Sequence, residues 1–241
     1  MLVIENTICP SREQWMAVIR GMRNPLNSWE KSDTENHEFD DEFFVGQNDL
    51  KLMTSLGKEG SCCRKYLRMM IIYADVTAPL YWWKEFDTYK VGTVANSCST
   101  MHKIQDKEFV LDDFSHDHFD NIWLYEPEVR DMAPTIEFST RTDTQTDYVL
   151  GPDDVFAMTI KMLNRCRELY LITKEKKYWW QMIQLLPSSY NQKRTVMLNY
   201  ETLSQIYKWR KNHKLDEWHT FCDWILTLPY PELIQEAGGC P

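Results

Sequence analysis

Residues 69–74 (MMIIYA) are apolar or nearly so at every position, and helical patterning stands on both sides of them. A run this short and this continuous reads as a strand buried on both faces. A chain that sets such a strand among amphipathic helices must pack those helices on a sheet, so the fold class read from the sequence is α+β. Residues 2–4 and 196–198 are further short apolar runs of strand length.

The helices announce themselves by caps and periodicity. Ser11 with Gln14 three positions later is a capping box, followed by Trp15, Val18, Ile19 and Met22 at helical spacing and closed by Asn24-Pro25. Residues 29–42 are polar and acidic and read as a loop. Leu50, Met53 and Leu56 predict a short helix ended by Gly57, and residues 61–68 another. Residues 79–86 (PLYWWKEF) predict an aromatic helix with Pro79 in its first turn. Residues 112–147 are polar and weakly periodic and read as loops elaborating a core.

After them the chain turns helical. Pro152-Asp153-Asp154 opens a helix with the stripe Val155, Met158, Met162, Cys166, Leu169 and Tyr170. Tyr178, Met182, Leu185 and Leu186 form a second stripe, stopped by Pro187. Asn199 caps a third helix carrying Leu203, Ile206, Tyr207 and Arg210. A fourth carries Leu215, Trp218, Phe221, Cys222 and Ile225 and ends before Pro229.

Composition narrows the function. Twenty-seven basic against 36 acidic residues leave a net charge of −9, which argues against broad nucleic-acid binding. Seven scattered cysteines without a CxxC pair read as reduced thiols, the pattern of a cytoplasmic protein. No signal-peptide pattern opens the chain, and no apolar run approaches the ~20 residues of a membrane span. His116 and His118 flank Asp117 without a third ligand at readable spacing, so no metal site is expected. The phosphate-loop, nucleophile-elbow, dinucleotide and zincin motifs are absent. With only eight glycines, a phosphate would have to be held by side chains and helix N-termini.

Two segments concentrate suitable side chains. Residues 85–90 (EFDTYK) and 96–102 (NSCSTMH) bring together hydroxyls, an amide, a cation and an imidazole. Asn199 and Arg210 stand at the two ends of one predicted helix, where a fork-shaped cation suits a phosphate or a pyrimidine carbonyl. The competing reading is structural: a capped turn for the first group, and for Arg210 a surface cation paired with an acid.

Taken in order, these segments resemble the flavin-dependent thymidylate synthases. That family carries Arg-His-Arg, then Asn-Glu-x-Ser-x-Arg-Tyr, later Glu-x-Ala-Arg-x-x-Leu-Pro, an Asn opening a helix and an Arg near its end. Here Leu186-Pro187 stands at the Leu-Pro position, Asn199 follows Pro187 by twelve residues, and Arg210 follows Asn199 by eleven. Thr88-Tyr89-Lys90 replaces Arg-His-Arg, Ser97 replaces the Glu, Ser99 is kept, and Met101-His102 replaces Arg-Tyr. Trp180 and Ile183 replace the later Glu and Arg, and Trp218 stands where the family has Glu. Each lost arginine removes charge-assisted hydrogen bonds of ~1.5–3 kcal/mol.

The resemblance implies one thymidylate synthase-like domain over residues 1–241, with an antiparallel sheet, flanking helices, a helix-rich C-terminal half and a polar elaboration at about 106–150. It implies reductive methylation of a dUMP-like pyrimidine nucleotide with FAD, methylenetetrahydrofolate and NADPH, in a homotetramer. The cofactor carries that chemistry, so no catalytic side chain is expected. Tyr89, Lys90, Asn96 and Asn199 fall at cofactor-binding positions, and Ser99, His102 and Arg210 at substrate-binding positions. Lys103, Lys193 and Arg194 are the nearest cations to replace the missing arginines. Two other readings stay open: a catalytically inactive nucleotide-binding or protein-interaction module on the same fold, and an unrelated helical protein with a Trp-rich binding surface.

Overall fold

The structure, a computed structural model, describes residues 1–35, 43–119, 133–139 and 145–238. In chain order the elements are β1 (Val3–Ile8), α1 (Arg12–Arg23), α2 (Gln47–Lys58), α3 (Lys65–Met69), β2 (Ile71–Pro79), α4 (Leu80–Phe86), β3 (Val94–Ser97) and α5 (Thr100–Lys103). There follow β4 (Thr135–Ser139), β5 (Gln145–Val149), α6 (Pro152–Thr173), α7 (Lys176–Leu185), β6 (Asn191–Asn199), α8 (Tyr200–Arg210), α9 (Asp216–Leu226) and α10 (Glu232–Gln235). They form two compact units: Leu2–Cys98 with the chain from Gln192 onward, and Ser99–Asn191 with Met1.

The first unit holds a four-stranded sheet in the order β1-β2-β6-β3. β1 runs antiparallel to β2, and β3 antiparallel to β6. Ile72, Ala74, Val76 and Ala78 of β2, with Val196 and Leu198 of β6, turn inward and are buried. The intervening residues turn outward, and Tyr73 is 43% exposed. The expectation of a strand buried on both faces is therefore corrected: β2 is buried on one face. Its outer face carries Asp75, which accepts a hydrogen bond from Thr195 of β6 at 2.6 Å. Beside it, Lys193 pairs with Glu5 at 3.0 Å. A polar ladder of this kind needs no second apolar layer.

The first helix keeps its predicted start. The Ser11 side chain accepts from the Gln14 backbone N–H at 3.3 Å, and the Gln14 side chain accepts from the Ser11 N–H at 2.8 Å. Ser11→Ala is expected to cost about 1 kcal/mol, read as a lower midpoint in thermal unfolding. The turn at Trp29–Lys31 is a short 3-10 helix rather than plain loop, and residues 36–42 of the predicted loop lie outside the described residues. Asp49, in the first turn of α2, anchors what precedes it. Its Oδ1 accepts from Arg23 Nε at 2.5 Å. Its Oδ2 accepts from the Ser32 hydroxyl at 2.8 Å, from the Thr34 N–H at 3.0 Å and hydroxyl at 2.6 Å, and from the Asp33 N–H at 3.2 Å.

The core of this unit is aromatic. α4 places Trp82, Trp83 and Phe86 inward, and α9 answers with Trp218 and Phe221, all at most 2% exposed. Trp82 packs on Trp218 and Phe86 with centroids 4.7 and 5.1 Å apart, in the range where ring pairs add to burial.

The second unit packs α6 and α7 around Ile104, Phe109, Phe114, Phe156, Leu163, Cys166 and Met182. Here the predicted stripe is corrected. Of the stripe, Cys166 is buried but Val155, Met158 and Met162 are exposed, whereas Phe156 and Leu163, which the stripe leaves out, are buried. Apolar residues lie all round this helix, so periodicity alone did not select the face that Phe114 and Met182 cover. Within the stretch read as loops, β4 and β5 pair antiparallel from Thr135↔Val149 to Ser139↔Gln145. Residues 120–132 and 140–144 of that stretch lie outside the described residues. Among the described residues no helix is long and apolar enough to cross a membrane.

Candidate functional site

In the first unit the end of α8 meets the end of α4. With Trp82 and Phe86 facing the core, Glu85 falls on the flank of α4 and is partly exposed. Its Oε2 accepts from Arg210 Nη1 at 2.8 Å and from the Trp218 indole N–H at 3.0 Å, and His213 Nε2 lies 3.4 Å away. Arg210 Nε donates to the Tyr89 hydroxyl at 2.9 Å. The guanidinium carbon stands 4.8 Å from the Trp218 ring centroid and 5.6 Å from that of Tyr89. Arg210 is thus held by an acid and two rings, a geometry that guanidinium planarity favours. Among the described residues its Nη2 alone has no hydrogen-bond partner, so one nitrogen is left for a ligand.

Asn199 is the N-cap of α8. Its Oδ1 accepts from the Thr202 N–H at 2.9 Å and hydroxyl at 3.1 Å, and its Nδ2 reaches the Gly92 carbonyl at 3.5 Å. Gly92 has φ +76°, and a Cβ there would fall 2.2 Å from Asn199 Nδ2, so only glycine fits. The Thr202 hydroxyl also lies 2.9 Å from the Val91 carbonyl, its one proton shared between that oxygen and Asn199 Oδ1. Asn199 therefore ties the start of α8 to the turn that follows Tyr89 and Lys90.

The structure thus brings Tyr89 and Arg210 into direct contact, with Asn199 supporting the adjoining turn. Lys90 is exposed. Asn96 is exposed on the outer face of the sheet, paired with Thr195 across the β3–β6 ladder. Of the four residues assigned to a flavin, two are spent on contacts within the chain and Lys90 is the one cation. Together they do not form a clamp for a diphosphate.

In the second unit Ser99 caps α5, its hydroxyl accepting from the His102 N–H at 3.2 Å. His102 lines a cavity of about 360 Å³ with Met101, Gln105, Tyr170, Lys174, Lys176 and Trp179. The substitute cations named from the sequence are all engaged. Lys103 pairs with Asp106 at 2.9 Å. Lys193 pairs with Glu5 at 3.0 Å and Asp75 at 3.7 Å. Arg194 pairs with Asp87 at 2.8 Å and lies over Trp83 at 4.2 Å. The one sequence signal for Lys174 and Lys176 is the run Lys174-Glu175-Lys176-Lys177 at the junction of α6 and α7. The pairing of Glu85 with Arg210 has no signal in the sequence. His116 Nδ1 lies 3.0 Å from the Phe114 carbonyl, and Asp117 pairs with the N-terminal amine at 2.6 Å. Among the described residues no three His, Cys, Asp or Glu side chains gather as metal ligands.

No family model and no curated protein matches the chain. Solved structures do. A flavin-dependent thymidylate synthase ThyX from Helicobacter pylori, complexed with FAD and dUMP, superposes with a TM-score of 0.59 at 16% identity, covering 98% of this chain and 100% of that one. A second structure of that enzyme with FAD and dUMP gives 0.59 at 14% identity, covering 98% and 97%. The UMP/dUMP methylase PolB from Streptomyces cacaoi, bound with 5-Br dUMP, gives 0.54 at 14% identity, covering 99% and 96%. Along nearly its whole length, the chain has the fold of the flavin-dependent thymidylate synthases.

Proposed function

We propose that the chain binds a pyrimidine nucleotide on this fold. The observation that carries the reading is the near-complete superposition on three structures that hold dUMP or its 5-bromo analogue. The reaction the fold offers is reductive methylation of a dUMP-like nucleotide, with FAD and methylenetetrahydrofolate supplied to a cytoplasmic homotetramer. In that reading Arg210 turns its remaining N–H face to the pyrimidine or its phosphate, Lys90 and Ser99 contact phosphates, and Asn199 borders the flavin.

A second reading, a non-catalytic nucleotide-binding module, is favoured by one specific observation. Apart from Arg210 Nη2, the hydrogen bonds of Arg210, Tyr89 and Asn199 go to Glu85, to each other and to the backbone at Gly92 and Thr202. Two measurements separate the readings. Visible absorbance of the purified protein, before and after excess FAD and gel filtration, reports flavin. Titration calorimetry with dUMP, on the wild type and on Arg210→Ala, reports the nucleotide. A retained flavin spectrum with dUMP binding lost in Arg210→Ala supports the enzyme. No flavin with dUMP still bound supports the module. If dUMP does not bind at all, nucleotide binding is rejected.

A further inference from the structure

The cavity beside His102 departs from the composition of the chain. Against a net charge of −9, its wall contains no acid among the described residues. Its potential donors are Lys174, Lys176 and His102; the two Gln105 amide hydrogens go to the His102 carbonyl and to Asp106 Oδ1. Of the nearest acids in sequence, Asp106 pairs with Lys103 at 2.9 Å and accepts from the wall residue Gln105 at 3.0 Å, and Glu175 pairs with Lys177 at 2.6 Å. Among the described residues neither Lys174 nor Lys176 has an acidic partner. Lys176 instead sits 5.8 Å from the Trp180 ring centroid.

The wall is also fixed. Lys174 closes α6 in the left-handed region, φ 58°, ψ 12°, with its N–H donating to the Tyr170 carbonyl at 2.9 Å. Helices favour glycine there, and a residue with a Cβ is held at some cost. The Trp179 indole donates to the Met101 carbonyl at 3.2 Å and meets Trp180 edge to face at 5.0 Å. Gln105 Nε2 donates to the His102 carbonyl at 2.9 Å. Two lysines, a histidine and the aromatic side chains of Trp179 and Tyr170 thus line an open cleft of a volume within the range of small-molecule sites.

We propose that this cavity binds a phosphate monoester carrying an aromatic ring, with Lys174 and Lys176 supplying the positive charge and Trp179 the apolar wall. The proposal rests on the nucleotide reading above only for naming the ligand a nucleoside monophosphate. It places the charge needed by a phosphate on residues with no counterpart among the motif arginines.

The test uses the full chain with methyl-labelled methionine, the Met101 signal assigned through Met101→Leu. dUMP and inorganic phosphate are titrated separately into the wild type, Lys174→Ala/Lys176→Ala, Lys174→Arg/Lys176→Arg and the control Lys161→Ala. All three lysines are exposed, so folding is expected to survive. The expected result is a Met101 shift with dUMP in the wild type. The affinity read from the Met101 shift should weaken on the order of 100-fold in the double alanine variant, by about tenfold per lost charge-assisted contact. The double arginine variant should keep most of it, and Lys161→Ala all of it. Equal dUMP affinity in wild type and double alanine variant, with Met101 unmoved, overturns the cavity while leaving nucleotide binding intact. Phosphate shifting Met101 in the wild type but not in the double alanine variant, with no response to dUMP, supports the cavity and rejects the nucleotide. No Met101 shift with either probe overturns the proposal.

Discussion

Asp49→Ala is expected to destabilise the protein by about 3–5 kcal/mol, the range for stripping one partner from a buried ion pair. The Asp49 side chain is 0% exposed and that of Arg23 4%, so the substitution leaves a guanidinium buried without its counter-charge. It also removes the acceptor that gathers Ser32, Asp33 and Thr34. Burial alone would raise the pKa of this carboxyl, but the hydrogen bonds from Thr34, Ser32 and Arg23 outweigh it and hold the carboxyl below the usual range. The sign follows from that direction. A depressed pKa adds stability that is fully present above the unfolded value of about 3.9 and is lost as pH falls through the folded value. Denaturant unfolding at pH 7 and at pH 3 checks both points: the gap between wild type and Asp49→Ala should narrow in acid. An unchanged gap would remove the carboxylate's charge from the account.

Trp218→Ala is expected to cost a similar ~3–5 kcal/mol, because a fully buried indole leaves a large cavity among Trp82, Phe86 and Phe221. Trp218→Phe divides that loss. It keeps most of the packing and removes the N–H that Glu85 accepts, at a cost of about 1–2 kcal/mol. Because Arg210 lies over the same indole, the phenylalanine variant also probes the candidate site. Its unfolding free energy and its dUMP affinity should fall together if Arg210 serves the nucleotide. Stability falling with affinity unchanged would separate the Glu85–Arg210 pair from binding.

The parts of this molecule legible in the sequence are those decided locally. The capping box at Ser11, the cap at Asn199 and the stripe Trp218, Phe221, Cys222 and Ile225 each need only neighbours within a few residues and appear as read, while Leu215, read into the same stripe, is the N-cap of α9. The sheet-and-helix class, and the resemblance borne by widely spaced motifs, agree with the fold along nearly the whole chain. What periodicity could not supply is which side of an element is covered. β2 is apolar on both faces at its start, yet only one faces the helices. α6 offers methionines on one side and Phe156 and Leu163 on another, and tertiary packing chose the second. The β4–β5 pair was hidden because threonine, aspartate and glutamine dilute its alternation. The pairing of Glu85 with Arg210 joins residues 125 positions apart, and no local rule reaches that far.

The discontinuity of the first unit bears on how the protein is made. β2 and β6 are sheet neighbours, yet the whole of Ser99–Asn191 is translated between them. As the chain leaves the ribosome, β2 has its inward row of Ile72, Ala74, Val76 and Ala78 ready long before Val196 and Leu198 exist to lie beside it. The entropic penalty for closing so long an intervening segment grows only slowly with its length. The waiting time does not: at ~5–20 residues per second, several seconds pass with an apolar half-sheet unfinished. The nascent first half thus carries an uncovered apolar row until β6 is made.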